Sequence, residues 1–365
     1  MDTARLRDLV SAEGPFASVY FDDTHDTEDA AKLLDLRWRE LREELSEQGA
    51  NRPILDALES AVHSSHPPVG RSGRALVAAG ATVLVDTDLE APPARPIARL
   101  SELPYLVPLA ELGESPPAHV VAVVDRVGAD VTAVDRQGRV VDARTVEGTD
   151  HHIHKVPSGG WAHRNFQEHT EELIKRNIDL AAEHVADIAR RIGAGLVVVA
   201  GETQARKALL DALPESVRAH ASEVQGGGRH QGSGEEELDQ QIKDLLGRAQ
   251  RARRDQTAER FRAALAQPTG LAVQGLEATT TALREHNVET LLVDRPAEVD
   301  VLAGGDPTLL GMQEEELKAH GAEAIGRRRA DEAVAVAAIA VNADIVHTGD
   351  RLDLTEGFGA ILRHD

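Results

Sequence analysis

A nine-residue run without one apolar side chain, Gly226-Gly227-Gly228-Arg229-His230-Gln231-Gly232-Ser233-Gly234, does most to limit what this chain can fold into. Glycine and small polar residues bury nothing and leave the backbone free, so the run reads as a flexible linker. A second break, Gly113-Glu114-Ser115-Pro116-Pro117, precedes a change of texture, because an almost continuous apolar strand opens at His119. The chain has 365 residues, more than one ordinary core accommodates. The two breaks therefore give three expected domains, 1–115, 118–225 and 235–365.

Each domain alternates strand and helix signals. Phe16 to Phe21 is a short apolar strand, and residues 28–48 carry Leu34, Trp38, Leu41 and Leu45 on one face of a helix. After a second helix, Arg74–Ala79 and Thr82–Asp86 flank Gly80-Ala81 as a hairpin. In the middle segment His119–Val124, Asp130–Asp135 and Arg139–Arg144 read as a meander, followed by a loop over 148–164. A long helix is expected from about Asn165 to Arg191, its apolar positions Phe166, Leu173, Ile174, Ile178, Ala181, Val185, Ile188 and Ile192 recurring at three or four residues on a packing face. Strands are expected at Gly195–Ala200 and Val217–Val224, with a short helix at Gln204–Leu213 between them. The last segment reads as helices at 235–266, 274–285 and 331–341 and strands at 290–293, 345–347 and 359–362, with a polar excursion after Val293. The fold class is α/β (α+β), mixed sheets flanked by helices.

Composition narrows the function classes. No apolar run approaches the roughly 20 residues of a membrane span, and the acidic amphipathic start lacks the pattern of a secretory signal. Zero cysteines exclude disulfides and thiolate metal sites and suit a cytoplasmic location. Lys and Arg number 40 against 62 Asp and Glu, a formal charge of −22. So negative a body repels phosphates, and any contact with nucleic acid has to be local.

One stretch departs from that balance. Between Asp150 and Glu168 there is no acid, and the interval holds Lys155, Arg164, His151, His152, His154 and His163. Gly159-Gly160 thins its tip and frees the backbone. Trp161 is costly to expose, so it either packs beneath the loop or stacks on a planar partner. The helix that follows would turn its N-terminal N–H groups and positive dipole end toward phosphate. The competing reading is a solvated basic loop.

Pro157-Ser158-Gly159-Gly160-Trp161-Ala162-His163-Arg164-Asn165-Phe166-Gln167, followed by a long amphipathic helix, resembles the Gly-Gly-Gln loop of archaeal and eukaryotic class-one peptide-chain release factors. The chain end, Gly357-Phe358-Gly359-Ala360-Ile361-Leu362-Arg363, is similar to the closing strand of that family's C-terminal domain. The group most resembled is the bacterial relatives of these factors, which includes the ribosome hibernation factor Balon and its actinobacterial counterparts. The resemblance implies a three-domain release-factor-like architecture and a 70S ribosome partner, with contacts to rRNA at the aminoacyl-tRNA site and peptidyl-transferase centre. Elongation factor Tu is an implied second partner. In that family the glutamine after the two glycines positions the water that cleaves peptidyl-tRNA. Here Trp161 stands in its place, a donor without an acceptor oxygen. The implied role is occupancy without catalysis, with RNA contacts at Lys155, Gly159, Gly160, Trp161, Ala162, His163 and Arg164 and no catalytic residue.

Other motifs carry less. His151-His152-x-His154 has no acid in its loop to complete a metal site, so neither metal nor cofactor is expected. Gly201-Glu202-Thr203 and Gly304-Gly305-Asp306 lack the rest of a nucleotide fingerprint and read as turns. Arg251-Ala252-Arg253-Arg254 on one helix, and Arg327-Arg328-Arg329 at the start of another, read as RNA contacts or solvated faces. Two rival functions stay open: a peptidyl-tRNA hydrolase or nuclease acting on stalled ribosomes with His163 or a nearby histidine as base, and a nucleotide-binding stress protein.

Overall fold

The computed structural model describes residues 3–25, 29–64, 72–113, 117–135, 138–147, 160–226, 235–267 and 270–364; residues 4–5, 160–171 and 235 are described by their backbone alone. The chain forms two compact units, one from residues 1–114 together with 254–365 and one from 115–253.

The first unit begins with a four-stranded antiparallel sheet in the order Thr82–Leu89, Gly73–Ala79, Phe16–Asp22, Ile97–Ser101. Alternation along Phe16–Asp22 sends Ala17, Val19 and Phe21 to one face and Phe16 and Tyr20 to the other. The first set packs with Leu34, Trp38, Leu41 and Leu45 of the helix Ala30–Glu47 and with Ile54, Leu58 and Val62 of the helix Arg52–Ser64. Phe16 and Tyr20 join a different core, shared with Ala333, Val334, Ala337 and Ala338 of the helix Ala330–Ala340. The first and last segments of the sequence therefore bury their apolar faces in common.

The remainder of this unit holds a sheet in the order Ala272–Gln274, Phe358–Leu362, Val288–Val293, Asp344–His347. Its first two pairings are antiparallel and the last is parallel. The helix Ala330–Ala340 is buried at every position from Ala330 to Ile339, as expected of a helix apolar on all sides. Its two acids, Asp331 and Glu332, are met by Arg99: Nη1 lies 3.1 Å from Asp331 Oδ2 and 3.2 Å from Glu332 Oε1. Ser101 Oγ donates to Glu332 Oε2 at 2.6 Å, and the Arg99 guanidinium lies 3.6 Å from the centre of the Tyr105 ring.

Four expectations are corrected here. The polar excursion after Val293 is a second sheet, Leu310–Gly311, Asp300–Ala303 and Gly326–Arg329, with the helix Glu314–Ala319. Arg327, Arg328 and Arg329 stand on its strand and do not open a helix; Arg329 then clamps Asp331 at 2.9 and 3.0 Å. Val217–Val224 is a short helix, Glu215–Arg218, and a strand, Ala221–Glu223; the Pro214 carbonyl accepts from the N–H groups of Val217 and Arg218, both at 2.9 Å, and closes a helical turn before the chain pairs. Residues Ile97–Ser101 and Ala272–Gln274 form strands where none was expected.

The second unit is a five-stranded sheet in the order Val140–Glu147, Gly128–Val134, His119–Val124, Leu196–Gly201, Ala221–Glu223. The helix Gly160–Ile192 covers one face through Ile178, Ala181, Val185, Ile188 and Ala189. The helix Glu235–Leu265 follows the glycine-rich linker, of which 227–234 lie outside the described residues. Leu238, Ile242, Leu245 and Leu246 of this helix pack in the second unit against Leu196, Val198 and Ala200. Ala258 and Phe261, further along it, pack in the first unit against Leu292, Val346 and Ile361.

Candidate functional site

The residues singled out in sequence fall at the start of the long helix of the second unit. The helix begins at Gly160, about five residues before its apolar periodicity becomes visible. Gly160, Trp161, Ala162, His163 and Arg164 are therefore its first backbone positions and not part of a loop. A helix can open there because nothing in Trp161–Arg164 opposes it. Lys155, Gly159, His151, His152 and His154 lie outside the described residues, as do the side chains of 160–171.

The backbone alone gives this helix end a definite electrostatic character. Its first turn contains no acid, while Arg190 and Arg191 occupy its last turn. The four leading N–H groups have no partner within the helix and carry the positive end of the dipole, so the arginines compensate the far end and no carboxylate of the first turn compensates the near one. Among the residues of this helix whose burial is described, Ile178 is the first fully buried one. At 1.5 Å per residue it lies roughly 27 Å along the axis from Gly160.

Charge is distributed unevenly between the units. Residues 115–253 hold 18 Lys and Arg against 21 Asp and Glu, a balance of −3, which leaves −19 for the other unit out of the total of −22. The stretch without acid belongs to the nearly neutral unit.

The other glycine motifs resolve into structure. Gly201 has φ +109°, and a Cβ there would lie 2.0 Å from the Val124 carbonyl oxygen on the paired strand. Glu202 is held by Arg126 at 2.7 Å, and Arg206 Nη1 donates to Gly201 O at 2.9 Å. Asp306 Oδ1 accepts from Thr308 N and Oγ1 at 2.9 and 2.7 Å, a closed turn whose hydrogen bonds hold the carboxyl below its usual range. At the chain end Gly357 has φ +77° with the Asp294 carbonyl 2.4 Å from its would-be Cβ, and a Cβ on Gly359 would meet the Phe261 ring at 3.0 Å. Both glycines are required by packing. Among the described residues no cluster of three His, Asp or Glu is placed to hold a metal ion, and no helix is long and apolar enough to cross a membrane. His119 is a core group whose burial lowers its pKa; its Nδ1 lies 2.9 Å from Pro117 O.

Sequence reading missed one buried group. Asp23, only 1% exposed, has no hydrogen-bond partner on either carboxylate oxygen among the described residues. His25 Nδ1 lies 3.6 Å and the Arg74 guanidinium Nη1 4.0 Å from its carboxylate oxygens. Burial pushes the Asp23 carboxyl above its ordinary value. No local pattern distinguishes it from the neighbouring Asp22, which pairs with Arg37 at 3.0 Å.

Comparison with known proteins follows the same division. Residues 118–267 match the family described as Bacterial archaeo-eukaryotic release factor family 2. The Mycobacterium tuberculosis proteins Rv2629 and MT2704, both described as uncharacterized, are each 39% identical over all of this chain and 97% of their own. Among solved structures, the archaeal translation termination factor aRF1 covers 99% of this chain and 97% of its own at 17% identity and TM-score 0.28. Archaeoglobus fulgidus Pelota covers 100% and 92% at 12% identity and TM-score 0.34. A ribosome-bound archaeal Pelota covers 99% and 93% at 14% identity and TM-score 0.36. At such scores these three likenesses carry no argument.

Proposed function

This chain belongs over its whole length to one family with the mycobacterial protein Rv2629, release-factor-like in its middle portion, and on that premise we propose that it is a ribosome-binding translation factor of the hibernation type, akin to Balon. It fills the aminoacyl-tRNA site of idle 70S ribosomes in the cytoplasm and reaches the peptidyl-transferase centre without hydrolysing peptidyl-tRNA. A translational GTPase such as elongation factor Tu is a second partner.

The observation that carries this reading is the beginning of the long helix: Gly159-Gly160-Trp161 at an N-terminus whose first turn has no acid, on the unit with a balance of only −3. Free N–H groups and a dipole end favour phosphate. In the proposed complex Lys155, His163 and Arg164 meet phosphates, Gly159, Gly160 and Ala162 keep the tip thin, and Trp161 stacks on a base. Hydrolysis at this tip would need a side-chain oxygen to steer a water molecule, and indole supplies only an N–H donor.

Sedimentation with 70S particles tests the reading. The full chain is expected to travel with idle ribosomes, and Trp161→Ala/Arg164→Ala to bind at least about tenfold more weakly, since one base stack is worth roughly 1–3 kcal/mol. A single-turnover assay with ribosome-bound peptidyl-tRNA is expected to show no release. Release that depends on Trp161 to Arg164 would overturn the inactive assignment, and undiminished binding of the variant would overturn the placement of the tip.

A further inference from the structure

The C-terminal part of the first unit carries a strand edge and a groove that the proposed function does not use. Among the described residues Ala272–Gln274 has one neighbour, Phe358–Leu362, with Val273 opposite Ala360. The flanking backbone bonds, Leu362 N–H to Leu271 C=O and Gly275 N–H to Phe358 C=O, both 3.0 Å, run to that neighbour. By the alternation of an antiparallel pair, Ala272 and Gln274 turn their N–H and C=O groups to the opposite edge. Edges are usually blunted by charge or proline. Residues 271–274 contain neither, and Leu271 is 39% exposed.

Beside this edge, between the strand and the helix Leu276–Arg284, opens a cavity of about 470 Å³. Val273, Leu276, Ala282 and Leu362 contribute its apolar lining. The same lining holds Glu277, Glu285 and Glu356 and no lysine or arginine. Glu356 is committed to the helix end, its Oε2 accepting from Leu276 N–H at 2.8 Å. Glu277 and Glu285 are exposed and make no ion pair among the described residues.

We infer that this groove binds a short extended segment of a partner protein in which Lys or Arg flanks an aliphatic residue. Its backbone adds to the sheet beside Ala272–Gln274, the aliphatic side chain enters the groove, and cations two residues to either side, on the same face of the added strand, meet Glu277 and Glu285. Charge selects this occupant over nucleic acid: the rim is anionic and the unit carries −19. The inference is independent of what the second unit binds.

The test is fluorescence anisotropy of the full chain with the labelled peptide Lys-Lys-Val-Leu-Val-Lys-Lys. A second peptide has both valines replaced by proline, and a third has every lysine replaced by glutamate. Glu277→Lys/Glu285→Lys is expected to weaken the basic peptide at least about tenfold, and Glu40→Lys/Glu43→Lys, on the exposed face of the helix Ala30–Glu47, by less than about twofold. The proline peptide, unable to donate at the paired positions, is expected to bind at least about tenfold more weakly. Thermal melts check that the variants fold. Equal weakening by the two charge reversals would reduce the effect to diffuse attraction, and equal binding of the proline peptide would remove strand addition. Either outcome, or the absence of saturable binding, overturns the inference.

Discussion

Replacing Arg99 with methionine should break the junction between the first sheet and the C-terminal helix of the first unit. The perturbation removes the charge and keeps most of the volume. Asp331 retains both bonds from Arg329, but Glu332, fully buried, retains only the Ser101 hydroxyl. Leaving one member of a buried pair without its partner costs about 3–5 kcal/mol. Loss of the cation–π contact with Tyr105 adds roughly 0.5–1 kcal/mol, and protonation of Glu332 relieves part of the total. The net, about 3–4 kcal/mol, corresponds to a fall in Tm on the order of 10 °C for a unit of this size. Burial already holds the Glu332 carboxyl above its usual range, so its folded pKa exceeds its unfolded one. A raised carboxylate pKa means that stability is greatest below the unfolded value and is lost as pH rises through the folded one. The deficit of Arg99→Met should therefore be largest near neutral pH and shrink toward pH 4, where Glu332 is neutral and needs no cation. Adding Glu332→Gln should restore most of the loss in a double-mutant cycle followed by circular dichroism. A deficit below about 1 kcal/mol, or one that does not change with pH, would refute the assignment of Arg99 as the counter-charge.

Trp38 is 4% exposed and its Nε1–H has no partner among the described residues; Trp38→Phe removes that donor along with some volume and should cost less than about 1 kcal/mol in urea denaturation, against about 3–5 for Trp38→Ala. Burial raises the Asp23 carboxyl, so its ionisation costs stability as pH rises; Asp23→Asn should remove that cost, with an advantage larger at pH 7 than at pH 4 in paired melts. Gly201→Ala should destabilise the second unit by about 2–4 kcal/mol, because its Cβ would collide with the Val124 carbonyl; Gly193→Ala, with φ +61° and nothing within 4 Å, should cost only about 1 kcal/mol by amide exchange of the same sheet. Ribosome binding should fall with salt as log K against log concentration with a slope of about −2, since only two or three cations of the proposed tip meet phosphate; a slope near −8 would place the contact elsewhere.

Elements with one covered face were legible in sequence. The stripe Leu34, Trp38, Leu41, Leu45 marked its helix because only one side meets the sheet, and the middle helix showed Ile178, Val185 and Ile188 for the same reason. The region 300–329 was not legible, since strands of two to four residues are too short to display a period. Arg327 to Arg329 looked like a helix-leading charge run for the same lack of pattern. Phe16–Phe21 did carry a hint of its second partner: an apolar residue at almost every position means that both faces are covered. Nothing local could name the covering element, a helix more than 300 residues away in sequence.

The candidate site shows a different limit. Its composition was visible at once, because an interval free of acid stands out in a chain of charge −22. The start of the helix at Gly160 was not, since Gly159-Gly160 reads as the tip of a loop and Trp161 to Arg164 show no apolar period. In the proposed complex the residues of that helix end serve what they meet outside the fold: glycines for thinness, a tryptophan for stacking, cations for phosphate. Where core packing dictates sequence, as at Gly201 and Gly357, a glycine has a clash to explain it. For Gly159, Gly160 and Trp161 the proposed function supplies a partner as the cause, and the sedimentation experiment with Trp161→Ala/Arg164→Ala separates that cause from chance.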